Sequence, residues 1–227
     1  RAGLGTRLRP LTDNRPTALV EINGRTMLEI AIDRLRSFGI REVIINVHHL
    51  AGMIAEYLKA NDNFGMRIEI SREEELLDTG GGLKKAAWFF RDETEPFVVH
   101  NVDVVSAIDL HRMARFHNEN HALATLAVQD RQTSRPLLFD EQLLLCGWKT
   151  EVIRPSEQIH KLAFSGIHVV SPRLLSMMTE EGAFSIITCY LRLAARAERI
   201  LAFRADEYYW RDLGEPERLI EAARDLL

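Results

Sequence analysis

The chain has 227 residues, 46% of them hydrophobic and 27% charged, with a formal net charge of -4 at pH 7. That length suits one large domain, or a domain with a small appendage. The acidic balance argues against general nucleic-acid or anionic-membrane binding, which rests on a basic excess. No apolar run approaches the roughly 20 residues that span a bilayer, and no secretory pattern is visible. The expectation is a cytoplasmic globular protein acting on small molecules, as a monomer or small homo-oligomer.

The first residues are Arg1-Ala2-Gly3-Leu4-Gly5-Thr6-Arg7-Leu8-Arg9-Pro10. Gly3 and Gly5 allow a tight turn and close approach to a ligand, because neither carries a Cβ. Thr6 adds a hydroxyl, and Arg7 a planar fork of donors suited to phosphate oxygens. Two readings stand: a polyphosphate cradle, or a surface turn whose arginines are solvated. The stretch is neither a P-loop nor a dinucleotide fingerprint.

Thr26-Met27-Leu28-Glu29 is a capping box, and it predicts a helix with Leu28, Ile32 and Leu35 on its apolar face and Gly39 as its stop. Val43–Val47 reads as a buried strand, residues 51–60 as a helix burying Ile54 and Leu58, and 66–70 as a strand. After a glycine turn a short helix is expected from Leu83 to Phe90. Pro96–His100 is a further buried strand, running into Asn101-Val102-Asp103. A helix near 109–119 and a strand over 122–128 complete a β-α-β alternation. This rhythm predicts an α/β fold, a Rossmann-like three-layer sandwich with a mainly parallel mixed sheet.

From about residue 130 the rhythm changes. Residues 137–139, 143–148 and 162–170 are strand-like with few helices between them, so 130–170 reads as a small antiparallel β subregion walling a pocket. Helix 185–196, strand 200–204 and an amphipathic helix from Pro216 close the chain, and the absence of a linker favours a single domain over 1–227. Cys146 and Cys189 stand isolated in apolar surroundings and read as buried free thiols.

Three features bear on chemistry. Asp78-Thr79-Gly80-Gly81-Gly82 reads either as bare backbone against which a flat nucleobase lies, or as a tight strand-to-helix connection. Asp103 stands just past the carboxyl end of a buried strand, where open α/β sheets bind ligands. It reads as a Mg2+ ligand or as a turn residue. Asp212, before the last helix, reads as a second ligand for the same cation or as that helix's N-terminal acid. The histidines show no metal spacing, and no nucleophile elbow is present. Trp148 and Trp210 read as core or pocket wall, with stacking on sugar or base as the alternative.

Residues 2–20, Ala-Gly-Leu-Gly-Thr-Arg-Leu-Arg-Pro-Leu-Thr-Asp-Asn-Arg-Pro-Thr-Ala-Leu-Val, resemble the signature of the sugar-1-phosphate nucleotidyltransferases. The resemblance continues through residues 23–28, Asp78–Lys85, Asn101–Asp103, Phe164-Ser165-Gly166-Ile167 and Asp212–Leu219, and so spans nearly the whole chain. Among relatives, the single-domain N-acetylmuramate-1-phosphate uridylyltransferases look nearest; guanylyl- and cytidylyltransferases share the same loops. The resemblance implies nucleotidyl transfer from an NTP, UTP by preference, to a sugar 1-phosphate, with release of pyrophosphate and Mg2+ as cofactor. It assigns Gly3, Gly5, Thr6 and Arg7 to the triphosphate, Gly80 and Gly81 to the base, Asp103 and Asp212 to the metal, and Gly166 to the sugar.

This chain departs from the family pattern at two places. Thr17 stands where the signature has a phosphate-contacting lysine, which leaves a non-catalytic nucleotide or nucleotide-sugar binder as the alternative. The family also places an apolar strand ahead of the glycine loop, so the resemblance implies such a strand before Arg1.

Overall fold

The computed structural model describes residues 6–225; Gly3 and Gly5 of the glycine loop therefore lie outside the described residues. Short strands β1 (Glu21–Ile22) and β2 (Arg25–Thr26) form a hairpin that leads into α1 (Met27–Ser37). The Thr26 hydroxyl accepts the Glu29 N–H at 3.0 Å, which satisfies one of the first-turn amides left without a helical partner. Gly39, at φ +82°, ends the helical stretch in a left-handed conformation that glycine adopts at little cost.

The alternation continues with β3 (Glu42–Val47), α2 (Ala51–Ala60) and β4 (Arg67–Arg72). β3 and β4 pair in parallel, as strands joined by a crossover helix must. Their apolar faces pack with α1 and α2 around Leu28, Ile32, Ile54 and Leu58. The next helix departs from expectation. α3 spans Asp78–Lys85 and passes into a 3-10 turn over Ala86–Phe90, so it begins five residues earlier than the predicted Leu83. Glycine's weak helix propensity hid this first turn; tertiary packing, described below, requires glycine there.

Then follow β5 (Phe97–His100), β6 (Val104–Ser106), α4 (Leu110–Glu119) and β7 (Ala124–Gln129). β8 (Leu137–Phe139), β9 (Leu145–Trp148) and β10 (Glu151–Val152) precede the long β11 (His160–Val170). α5 (Arg173–Ser176), α6 (Ile186–Ala195), β12 (Ile200–Arg204), β13 (Trp210–Asp212) and α7 (Pro216–Asp225) complete the described chain.

The main sheet runs β10-β9-β8-β11-β7-β12, with β5 against the other edge of β11. Every residue of β7 is buried, which reflects helices on both faces. Ala124, Leu126 and Val128 pack with Cys189, Tyr190 and Leu193 of α6, whereas Ala127 packs with Leu110 and Met113 of α4. The expected three-layer α/β class therefore holds. The balance of strand directions does not follow the β-α-β rhythm. Among the described residues only β3–β4 and β7–β12 pair in parallel, and the other ladders are antiparallel. The cause is β11, which enters between β5 and β7 against the direction of both. The expected antiparallel subregion is β8–β10, continuous with the same sheet through β11.

Cys146 and Cys189 are buried free thiols, and burial pushes the Cys189 pKa up to about 12. Among the described residues no helix is long and apolar enough to cross a membrane.

Two core histidines make stability depend on pH. His117, 1% exposed, lies between the Thr125 and Ser171 hydroxyls at 3.0 and 2.9 Å, and burial lowers its pKa to about 4. His168, 3% exposed, is hydrogen-bonded to the Tyr190 hydroxyl and is lowered by burial to about 3. Both are neutral in the fold, while the unfolded chain protonates them near their ordinary value of about 6.5. The unfolded state thus binds more protons below that pH, and their contribution to stability is lost as pH falls from about 6.5 towards about 4 for His117 and about 3 for His168. The urea midpoint is expected to drop progressively over this window, with a shallower slope in His117→Gln. A midpoint independent of pH there would contradict the neutral, buried assignment.

Candidate functional site

The carboxyl end of β5 leads into the turn Asn101-Val102-Asp103, closed by the Val104 N–H donating to the Asn101 carbonyl at 3.2 Å. β6 leaves this turn, and β13 returns antiparallel beside it with Asp212 opposite Val104. The Leu213 N–H donates to the Asp103 carbonyl at 2.8 Å. Asp103 and Asp212, widely separated in sequence, are thereby held as neighbours by one short ladder. Both are half-buried, at the rim where strand ends meet solvent.

Arg7 reaches the same place from the other end of the chain. It lies in a 3-10 turn, Thr6–Leu8, whose Leu8 is 1% exposed and packs with Val105 of β6 and with Leu213. Burying one leucine thus pins the exposed Thr6 and Arg7 beside β6 and β13. A side chain at position 214 would require the ends of Arg7 and Asp212 to move. A Cβ there would come 2.7 Å from Arg7 Nη2 and 2.9 Å from Asp212 Oδ1. The Gly214 N–H also donates to Asp212 Oδ1 at 2.7 Å, which fixes that carboxylate's orientation.

Gly166 joins from β11. At φ +74° it breaks the β7 register between Phe164 and His168, as a bulge glycine does. Its carbonyl accepts the Asn101 N–H at 3.0 Å, and a Cβ would lie 2.8 Å from Asn101 Nδ2. The bulge therefore places bare backbone next to the Asn101–Asp103 turn.

Gly80 and Gly81 lie in a separate cluster. They form the first turns of α3, and their N–H groups donate to the Phe184 carbonyl at 2.9 and 3.3 Å. A Cβ on Gly80 would enter the Phe184 ring, and one on Gly81 would strike the Gly182 carbonyl. Close packing of a helix on backbone accounts for these glycines; the expected loop of bare backbone is helical. Gly82 faces Asn46 and the buried Glu73, with Asn46 Nδ2 donating to the Gly82 carbonyl at 2.9 Å and to Glu73 Oε1 at 3.2 Å.

Sequence reasoning missed Arg131. Its guanidinium stacks on Trp210 with Cζ 3.8 Å from the ring centroid and donates from Nη2 to the Phe164 carbonyl at 2.8 Å. Trp210 is itself held by its Nε1–H donating to the Ser165 carbonyl at 2.7 Å. Burial draws the Arg131 pKa down, the Asp212 carboxylate opposes that, and Arg218 reinforces it. The rule that selected Asp103, a charged residue just past the end of a buried strand, applies equally to Arg131 after β7. Trp210 is thus half-buried against the core and carries an arginine, whereas Trp148 carries Lys149, with Nζ 4.4 Å from its ring centroid.

A model of the nucleotidyl transferase family matches residues 1–139. The N-acetylmuramate alpha-1-phosphate uridylyltransferase of Caulobacter vibrioides is 31% identical over 97% of this chain and 92% of its own length. The chain belongs to the nucleotidyl transferase family. Within it, this nucleotidyltransferase belongs with the enzymes that use sugar 1-phosphates. The mannose-1-phosphate guanylyltransferase of Mycobacterium tuberculosis is 29% identical over 99% of the chain, which spans 62% of that protein's length. Solved structures share the fold of this nucleotidyltransferase. HddC from Yersinia pseudotuberculosis, complexed with GMP-PN, has a TM-score of 0.79 at 20% identity, covering 100% of this chain and 96% of that one. A UDP-glucose pyrophosphorylase complexed with UDP-glucose has a TM-score of 0.80 at 18% identity, covering 99% and 95%.

Proposed function

We propose that the protein transfers a uridylyl group from UTP to N-acetylmuramate 1-phosphate, with Mg2+, in the cytoplasm. The observation that carries the reading is the meeting of Arg7, Asp103 and Asp212 at one sheet edge, set by the β6–β13 ladder and the buried Leu8. The uridylyl and N-acetylmuramate choices rest on the likeness to the Caulobacter enzyme, which covers nearly the full length of both chains.

The donor set suits Mg2+. Asp103 and Asp212 offer hard carboxylate oxygens, and among the described residues no group of three or more His, Cys, Asp or Glu gathers to enclose an ion. Mg2+ favours one or two carboxylates completed by water and substrate phosphates. Bound there, it neutralises charge on the phosphates during in-line displacement. Arg7 holds the triphosphate through charge-assisted hydrogen bonds, beside Gly3, Gly5 and Thr6. The Gly166 amide meets a sugar hydroxyl or the N-acetyl group. The assignment of Gly80 and Gly81 to the base rests on the resemblance alone, because Phe184 and Gly182 fill the space at their α-carbons. In the reaction an acceptor phosphate oxygen bonds to the α-phosphorus as the bond to the bridging oxygen breaks. Pyrophosphate leaves with the electron pair. Positioning and fixed charge supply the acceleration, without a covalent enzyme intermediate.

The competing reading, a nucleotide binder without turnover, draws its support from Thr17, which lies half-buried in a 3-10 turn over Thr17–Leu19. Pyrophosphate release measured with Mg2+, UTP, GTP and CTP against a panel of sugar 1-phosphates separates the two. Turnover is expected with UTP and N-acetylmuramate 1-phosphate above all other pairs. Preference for another pair would move the substrate assignment. Nucleotide binding with no turnover, in the natural protein and in Thr17→Lys alike, would establish the binder.

A further inference from the structure

Arg131 is more expensive to keep than its neighbours. A guanidinium stays charged at any physiological pH, and withdrawing it from water costs free energy unless an anion pairs with it. Burial lowers the pKa of Arg131, yet among the described residues the one hydrogen bond of its guanidinium goes to a neutral carbonyl, that of Phe164. Its Nε is buried without a partner. Arg192 and Arg211, also half-buried, are answered by carboxylates, Glu180 at 2.6 Å and Asp225 at 2.7 Å. Arg34 shares the situation of Arg131, with a bond to the Ile108 carbonyl and a buried Nε left without a partner among the described residues.

The side chain is also held more firmly than a charge exposed to water needs to be. Trp210 stacks beneath it, an arrangement that favours the cation electrostatically. The indole is fixed in turn by Ser165, and the Phe164 carbonyl fixes the edge of the fork. Phe164 and Ser165 are the residues immediately before Gly166, so the guanidinium stands on the bulge that meets the Asn101–Asp103 turn. An arginine whose rotamer is set in advance and which makes no ion pair among the described residues, the Asp212 carboxylate acting on it only at longer range, is built to receive an anion.

Resting on the sugar-1-phosphate reading above, we propose that Arg131, mounted on Trp210, binds an anionic group of the acceptor and fixes it for attack. Arg131 sets affinity for the acceptor and leaves the nucleotide's affinity to Arg7 and the glycine loop. Two acceptor anions share this chemistry, the 1-phosphate and the lactyl carboxylate of an N-acetylmuramate.

Isothermal titration of the acceptor alone with the intact protein, and steady-state kinetics beside it, test the assignment in Arg131→Lys and Arg131→Met, with Trp210→Phe to weaken the platform. Losing one charge-assisted contact predicts about a 10- to 100-fold weaker acceptor affinity. The KM for the nucleotide stays within about twofold by the same separation of sites. Equal losses with N-acetylmuramate 1-phosphate and N-acetylglucosamine 1-phosphate identify the phosphate as the bound anion; a loss confined to the first identifies the carboxylate. Unchanged acceptor affinity in both Arg131 variants, or a rise in nucleotide KM alone, overturns the proposal. Absence of turnover in the natural protein overturns the catalytic reading instead, while acceptor titration still decides the role of Arg131. Circular dichroism and thermal melting separate a folding defect from lost contact, and Arg131→Lys retains the charge that a merely structural role needs.

Discussion

Asp103→Ala and Asp212→Ala are each expected to lower kcat by at least about 10²–10³-fold, the range seen when one preorganised electrostatic group leaves an active site. The two carboxylates are neighbours through the β6–β13 ladder and, on the proposal above, act on one cation, so their effects are expected not to add. Once the first is removed, the second has little left to lose. Stability separates the pair. Asp212 Oδ1 accepts the Gly214 N–H, and losing that bond costs about 1 kcal/mol. Asp212→Asn keeps the acceptor oxygen and is expected to melt like the natural protein while remaining inactive. Asp103 contributes its backbone carbonyl to Leu213, which alanine preserves, so Asp103→Ala is expected to lose activity without losing stability. Pyrophosphate release at saturating substrates measures the first effect and thermal melting the second. A single variant retaining natural turnover removes its residue from the metal site.

Gly81→Ala sets two physical effects against each other. Replacing glycine by alanine inside a helix ordinarily stabilises by about 1 kcal/mol. Here the new methyl would strike the Gly182 carbonyl and lie 3.0 Å from Leu77 Cβ. Backbone cannot swing aside as a flexible side chain does, and overpacking of this kind costs about 1–3 kcal/mol or more. Packing is expected to win, with a net fall of several degrees in Tm at about 2–4 °C per kcal/mol for a chain of this size. Gly52→Ala makes the natural control. It too is helical, a Cβ there meets nothing within 4 Å, and the expected change is a small rise in Tm. If the two substitutions behaved alike, propensity alone would govern both.

These cases show where reading along the chain succeeds. The Thr26 cap, the Gly39 stop, the strands β3, β5 and β7 and the helix opening at Pro216 depend on neighbours close in sequence, and each stands where its residues predict. Of the three strands expected to be buried only β7 is fully so, β5 and all of β3 but Val47 being partly exposed or exposed. The glycines of α3 failed as a local signal. Their reason, the approach of residues 182–184, lies a hundred residues further on. The abundance of antiparallel pairing was hidden for the same cause, because nothing within β11 states which strands will flank it.

The candidate site divides along the same line. Ordered motifs and short-range patterns of burial and capping were enough for the family and the three-layer α/β class, and they named Arg7, Asp103, Gly166 and Asp212 as candidates for the site. Packing in three dimensions adds that Leu8 pins Arg7 beside β13, that Gly214 lies between the Arg7 and Asp212 side chains, and that Arg131 stacks on Trp210 without an ion pair among the described residues. Each of these is a contact between elements distant in the chain. Local propensity carries no term for such contacts, and they exist only once the β6–β13 ladder and the β11 bulge have been closed by burial of the surrounding core.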